Sequence, residues 1–161
     1  MGMYTELNIA VWLKKDTPED IVSIIQSMVD AESVYYNTPD HPFFKADRWR
    51  WLFSSDSYCF DGDTHSSLRL DGITHQYVLT VRSNLKNYCY EIELFLNFLC
   101  PYIDSHGFIG YERYEEYEEP SLIHKKGEVI YINETAIDSD YVASAEARIK
   151  EIRNMYDYEQ E

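Results

Sequence analysis

An α+β fold is expected for this 161-residue chain: a mainly antiparallel sheet of about six or seven strands, with two or three helices packed mainly on one face. Three observations predict it. The order of periodic segments is strand, helix, three strands, helix, three strands, helix. Hairpin signals at Asp71-Gly72 and at Gly127 join neighbouring strands antiparallel. No repeat and no long polar linker divides the chain, so residues 1–161 read as a single domain around one core.

The first strand is "TELNIAVWL", where Thr5, Leu7, Ile9, Val11 and Leu13 share a face. A helix follows, with Thr17 as N-cap, Pro18 at its first position, and an apolar stripe of Ile21, Ile24, Ile25, Met28 and Val29. "YYNTPDHPFFKAD" is a loop. In "RWRWLFSS", alternation puts Trp49, Trp51 and Phe53 on one side of a strand and Arg48 and Arg50 on the other. "SSLRLDGITHQYVLTVR" forms a hairpin around Asp71-Gly72, although "ITHQ" could lengthen its loop. A helix then opens at Asn84 or Leu85 and runs through Cys89, Ile92, Phe95, Leu96 and Leu99 until Pro101 stops it. "HGFIGYERYE" is a strand, and "SLIHKKGEVIYIN" is a second hairpin turning at Gly127. Residues 138–156 form a C-terminal helix, with residues 157–161 frayed.

The charge of −15 argues against direct binding to nucleic acid or to an anionic membrane. Residues 45–86 carry six Lys and Arg against five Asp, whereas residues 1–44 carry two against seven and residues 87–161 six against seventeen. Cys59, Cys89 and Cys100 form no CxxC and no zinc spacing, as suits a reduced cytosol. "MGMYTELNIAVWLKKD" lacks the basic start of a signal peptide, and Glu6 spoils a myristoylation pattern. No run is long enough to span a membrane, so a soluble, cytoplasmic protein is expected.

Two candidate sites emerge. The first is an anion cradle at "RSNLK", where a helix N-terminus, Arg82, Ser83, Asn84 and Lys86 could hold a phosphate or carboxylate. Arg48, Arg50 and Arg69 would join Arg82 on one sheet face. Against this stand a simple helix cap and pairing of the arginines with the abundant carboxylates. The second is "GYERYEEYEEP", in which Tyr111, Tyr114 and Tyr117 interleave with Glu112, Glu115, Glu116, Glu118 and Glu119. Such a strand could meet a basic partner, the bland alternative being a solvated face.

No catalytic constellation forms. His65 and His75 across the hairpin are a weak metal pair, Ser66 and Ser67 lack a nucleophile elbow, and Glu91 and Glu93 stand two apart on a helix. No metal and no cofactor is expected.

The segments "MYTELN", "RWRWLF", "SSLRLD", "LTVRSNLKNY" with "EIELFL", and "FIGYERYEEYEEPSLI" together resemble small acidic proteins of unknown function carried on bacteriophage and prophage-type elements. The resemblance brings no site residues. It implies a bacterial cytosol and an accessory role. The expected function is a non-enzymatic acidic binding protein that engages and blocks or modulates a basic, nucleic-acid-handling host protein. The second reading is a binder sequestering a nucleotide or other small anion on the arginine-bearing face. A homodimer is compatible with either.

Overall fold

The computed structural model describes residues 3–32 and 37–158. Its strands are β1 (Tyr4–Trp12), β2 (His65–Leu70), β3 (Tyr77–Lys86), β4 (Gly107–Tyr114), β5 (Ser121–Lys126), β6 (Val129–Ile132) and β7 (Thr135–Ala136). Its helices are α1 (Glu19–Val29), α2 (Glu91–Leu99) and α3 (Ser139–Tyr158). One antiparallel sheet runs in the order β2-β3-β1-β4-β5-β6-β7, so the chain is α+β. The first two residues, "SVYY" at 33–36 and residues 159–161 fall outside the described residues, as does most of the expected frayed tail.

β1 holds the centre because its alternation supplies a continuous apolar face. Leu7, Ile9 and Val11 stand opposite Ser83, Val81 and Leu79 of β3. Together with Leu13 they are fully buried against Ile21, Ile24, Ile25 and Met28 of α1 and Ile92, Phe95, Leu96 and Leu99 of α2. α1 starts one residue later than the sequence suggests. Pro18 is its cap, and the Thr17 hydroxyl donates to the Lys14 carbonyl at 2.6 Å instead.

Two sequence expectations fail. "RWRWLF" is not a strand: Pro42–Lys45 and Trp49–Trp51 are short 3-10 turns. The buried positions are Trp49, Leu52 and Phe53, three and four apart, while Trp51 is 45% exposed. That is helical spacing, and the two arginines between the tryptophans imitate alternation. These rings join an aromatic cluster centred on Phe43, whose ring lies 5.0 Å from Phe44, 5.4 Å from Phe95 and 6.0 Å from Phe98. His41 fastens the segment to α2. Its Nδ1 accepts from the Phe43 amide at 3.1 Å and its Nε2 meets Asn97 Oδ1 at 2.9 Å.

Nor does a helix open at Asn84. β3 continues through "RSNLK" to Lys86, and α2 begins at Glu91. The reason is tertiary. β1 pairs with β3 from Tyr4↔Lys86 to Trp12↔Val78. Beyond the end of β2, the segment around Ser55 takes that strand's place: the Asn84 amide donates to the Ser55 carbonyl at 3.2 Å and the Ser83 hydroxyl to that of Leu52 at 2.6 Å. These partners outbid a local capping preference.

The first hairpin is looser than a two-residue Asp-Gly turn. Its loop spans residues 71–76, where the Asp71 carboxylate accepts from the Thr74 amide at 2.7 Å and from the Thr74 hydroxyl at 2.8 Å. Those bonds, the backbone one first, hold the Asp71 carboxyl below the usual range. Gly127 turns the second hairpin as expected, with φ of 61°.

β4 contains a bulge. Phe108 pairs with His124 and Gly110 with Ile123, so Ile109 is the extra residue. After the bulge, Gly110 and Glu112 face the helices, while Tyr111 and Arg113 face the open side opposite Asn8 and Glu6.

Candidate protein-interaction surface

Three segments meet at the end of the sheet where β1 begins. The β1–β3 register brings Lys86 opposite Tyr4, and the Glu115 amide donates to the Tyr4 carbonyl at 3.0 Å. β4 stops at Tyr114, and "EEYEE" leaves it as turns, the Tyr117 amide closing onto the Tyr114 carbonyl at 2.9 Å. Glu115, Glu116, Glu118 and Glu119 are thus presented from a loop and not along a rigid strand. The Tyr114 and Tyr117 rings pack edge to face at 5.3 Å. Partial burial, then the charges of Glu116 and Glu115, push the Tyr114 phenol up. Glu115, followed by burial, pushes the Cys59 thiol up.

Beside this lies an open groove of roughly 640 Å³, bordered by Tyr4, Asp47, Arg48, Trp51, Asp56 and Lys86. Its cations are engaged by rings: Lys86 Nζ sits 5.5 Å from the Tyr4 ring centre and Arg48 5.9 Å from that of Tyr88. Trp51 on its border is exposed, as is Tyr88, the ring that meets Arg48; Tyr58 and Tyr117 are exposed as well. Asp56 is held below the usual carboxylate range, first by the Ser57 amide and then by the Asn84 side chain, so it is a fixed negative charge at the rim.

The arginines of the expected anion face disperse. Arg69 and Arg82 do share the open side, by their register with Val78 and His65. Arg69 lies 3.7 Å from Asp71. Arg82 donates to the Asp61 carbonyl at 2.8 Å and lies 3.8 Å from Glu6. Arg50 stacks over Trp49 at 5.3 Å, and Arg48 belongs to the groove. Ser83 and Asn84 are buried in the sheet. The real N-terminus of α2 is occupied by its own side chains: the Ile92 amide donates to Asn87 Oδ1 at 3.0 Å, and Glu91 and Glu93 fill the first turn. The five residues of "RSNLK" are therefore strand and not a helix cap, and no helix N-terminus stands beside them to complete the expected cradle.

His65 begins β2 while His75 sits in the turn beyond its other end, so the proposed metal pair does not form. Among the described residues, no three His, Cys, Asp or Glu side chains gather in a way that could hold a metal ion. No helix among them is long and apolar enough to cross a membrane.

Family models, curated proteins and solved structures yield no match to this chain.

Several structured charges escaped sequence reasoning. Glu6 is buried on the open side between two arginines, with Arg113 at 3.3 Å and Arg82 at 3.8 Å. The loop at 56–62 covers this cluster, since Phe60 lies 5.1 Å beneath the Arg113 guanidinium. Glu6 on the polar side of an alternating strand was a readable signal. Its partner Arg113 was not, because the bulge hides the phase of β4. Removing the charge with Glu6→Gln should leave two neighbouring arginines without their counter-charge, and a loss of roughly 2–4 kcal/mol in urea titration is expected. An unchanged midpoint would mean that solvent already screens the cluster.

Proposed function

We propose that the chain is a non-enzymatic acidic binding protein whose aromatic and acidic end docks on a basic surface of another protein and blocks or modulates it. The observation that carries this reading is the groove bordered by exposed Trp51 and by Tyr4, Asp56 and Lys86, where the Glu115 amide is bonded to the Tyr4 carbonyl and the chain leads on into Glu116, Glu118 and Glu119. Exposed aromatic rings supply the large desolvated contacts that dominate binding energy. A carboxylate rim steers a cationic partner and repels nucleic acid itself. The resemblance to phage-element proteins supports placing such a partner among basic host proteins that handle nucleic acid, in a bacterial cytoplasm.

The test is a pull-down from bacterial lysate over a salt gradient. Wild type should retain a basic protein at about 50 mM salt and release it as salt approaches about 500 mM. Reversing Glu115, Glu116, Glu118 and Glu119 to lysine should weaken retention at least tenfold without changing the melting temperature, and Trp51→Ala should do the same at fixed charge. Binding that survives both changes would move the interface elsewhere on the molecule.

A further inference from the structure

The inward face of α3 changes character along its length. Val142 and Ala145 are buried and Ile149 is partly buried, at the spacing of a helix seated on a core. Beyond Ile149 the same face turns polar, with Lys150, Arg153 and Asp157 at helical intervals, and Tyr156, which would continue the apolar pattern, is exposed. In place of a packed seam, a cavity of about 330 Å³ opens between this half of α3, Cys89 and Leu94 at the start of α2, and the turn at Pro42–Lys45. That volume suits a small molecule.

Its lining falls into two parts. Pro42, Ala46, Leu94 and Ile149 are apolar, and the Cys89 thiol joins them. Burial, followed by the charge of Glu91, pushes that thiol up, so it adds no negative charge near neutral pH. The polar part sets three cations, Lys45, Lys150 and Arg153, against two carboxylates, Glu146 and Asp157. In a chain of net charge −15 this is a local reversal of sign. The cations are loosely engaged. Arg153 donates to the Lys45 carbonyl at 3.3 Å and to Asp47 Oδ1 at 3.4 Å, and Lys45 Nζ lies 3.9 Å from Asp40. Both aspartates are exposed, and such pairs are weak and readily exchanged. Among the described residues, no carboxylate lies within ion-pair distance of Lys150.

We propose that this cavity binds a small aliphatic carboxylate, with its chain against Leu94, Ile149 and Ala46 and its head group between Lys150 and Arg153. A guanidinium meets a carboxylate through two parallel hydrogen bonds, and Arg153 would exchange solvated Asp47 for a head group whose chain excludes water. The lining also selects against other anions. Among the described residues no aromatic ring borders the cavity, so it offers a nucleobase no stacking surface. Glu146 and Asp157 repel a doubly charged phosphate more than a single carboxylate. Occupancy here requires nothing of the acidic groove or of its partner.

Calorimetric titration of the purified full chain with sodium octanoate tests this. Saturable binding at one site is expected, with octanol and acetate each weaker by about tenfold or more, because one lacks the charge and the other the chain. Lys150→Gln and Arg153→Gln should each weaken octanoate by about tenfold. Arg148→Gln removes a cation of the same helix that pairs with Glu151 outside the cavity, and it should leave the affinity unchanged. Cys89 supplies a reading that needs no variant. Bound octanoate should slow its alkylation by iodoacetamide by about fivefold or more at saturation, while Cys59, in the loop at 56–62, keeps its own rate. The absence of saturable binding, octanol held as tightly as octanoate, full affinity in both glutamine variants, or alkylation of Cys89 indifferent to octanoate would each overturn the assignment.

Discussion

Alanine at Gly110 should leave little folded protein, with a loss of more than about 4 kcal/mol in chemical denaturation. The bulge in β4 lays this residue directly on β1, opposite Ile9, with φ of 155°. A Cβ there would collide with the Asn8 carbonyl oxygen and stand 2.8 Å from the Ile9 Cα. Both obstacles are backbone atoms of the central strand, so relief requires prying β1 from β4. Gly127→Ala is the matched control: its φ is 61°, but open space surrounds the new methyl, so only the conformational cost of about 1–2 kcal/mol should appear. If the two variants were equally stable, collision would not be the governing effect at Gly110.

Phe43→Ala is the second large effect expected, at about 3–5 kcal/mol, or roughly 10 °C in melting temperature for a domain of this size. Phe43 is fully buried, and its ring touches residues before the first tryptophan turn and along α2. Its removal leaves a cavity that the stacked Phe98 and the edge-on Phe44 can only partly fill. The damage should reach function. Trp49 packs on Phe43, and Trp51 borders the groove, so the proposed partner binding should weaken even at temperatures where the variant remains folded. A variant with full affinity and normal melting would show that the groove is held by β3 alone.

How far the sequence could be read depends on where each residue finds its hydrogen-bond partner. β1 and α1 were legible because their periodicity is complete within themselves, as the burial of Leu7, Ile9, Val11, Ile21, Ile24 and Ile25 confirms. "RSNLK" was not, since the groups that keep it extended belong to Leu52 and Ser55, some thirty residues earlier. In "RWRWLF" the side chains gave two compatible periods, and only the aromatic cluster under Trp49, Leu52 and Phe53 decides between them. β4 misleads in a third way. Counting outward from buried Ile109, alternation would turn Arg113 inward and Glu112 to solvent, and the one-residue bulge reverses both. The acidic tyrosine segment was visible as composition. That it would share an end with Trp51, Arg48 and Lys86 required the strand register.

The two margins of the sheet are unlike. At one side it finishes in β7, a pair of residues that leads straight into α3. At the other it finishes in β2, six residues long and half exposed, with one backbone edge turned outward. Growth of this sheet is therefore one-sided. Among the described residues, a peptide, a swapped hairpin or a second molecule seeking main-chain pairing has a full-length template only at β2, so assembly by strand addition there would stop at a closed pair instead of propagating into a fibre.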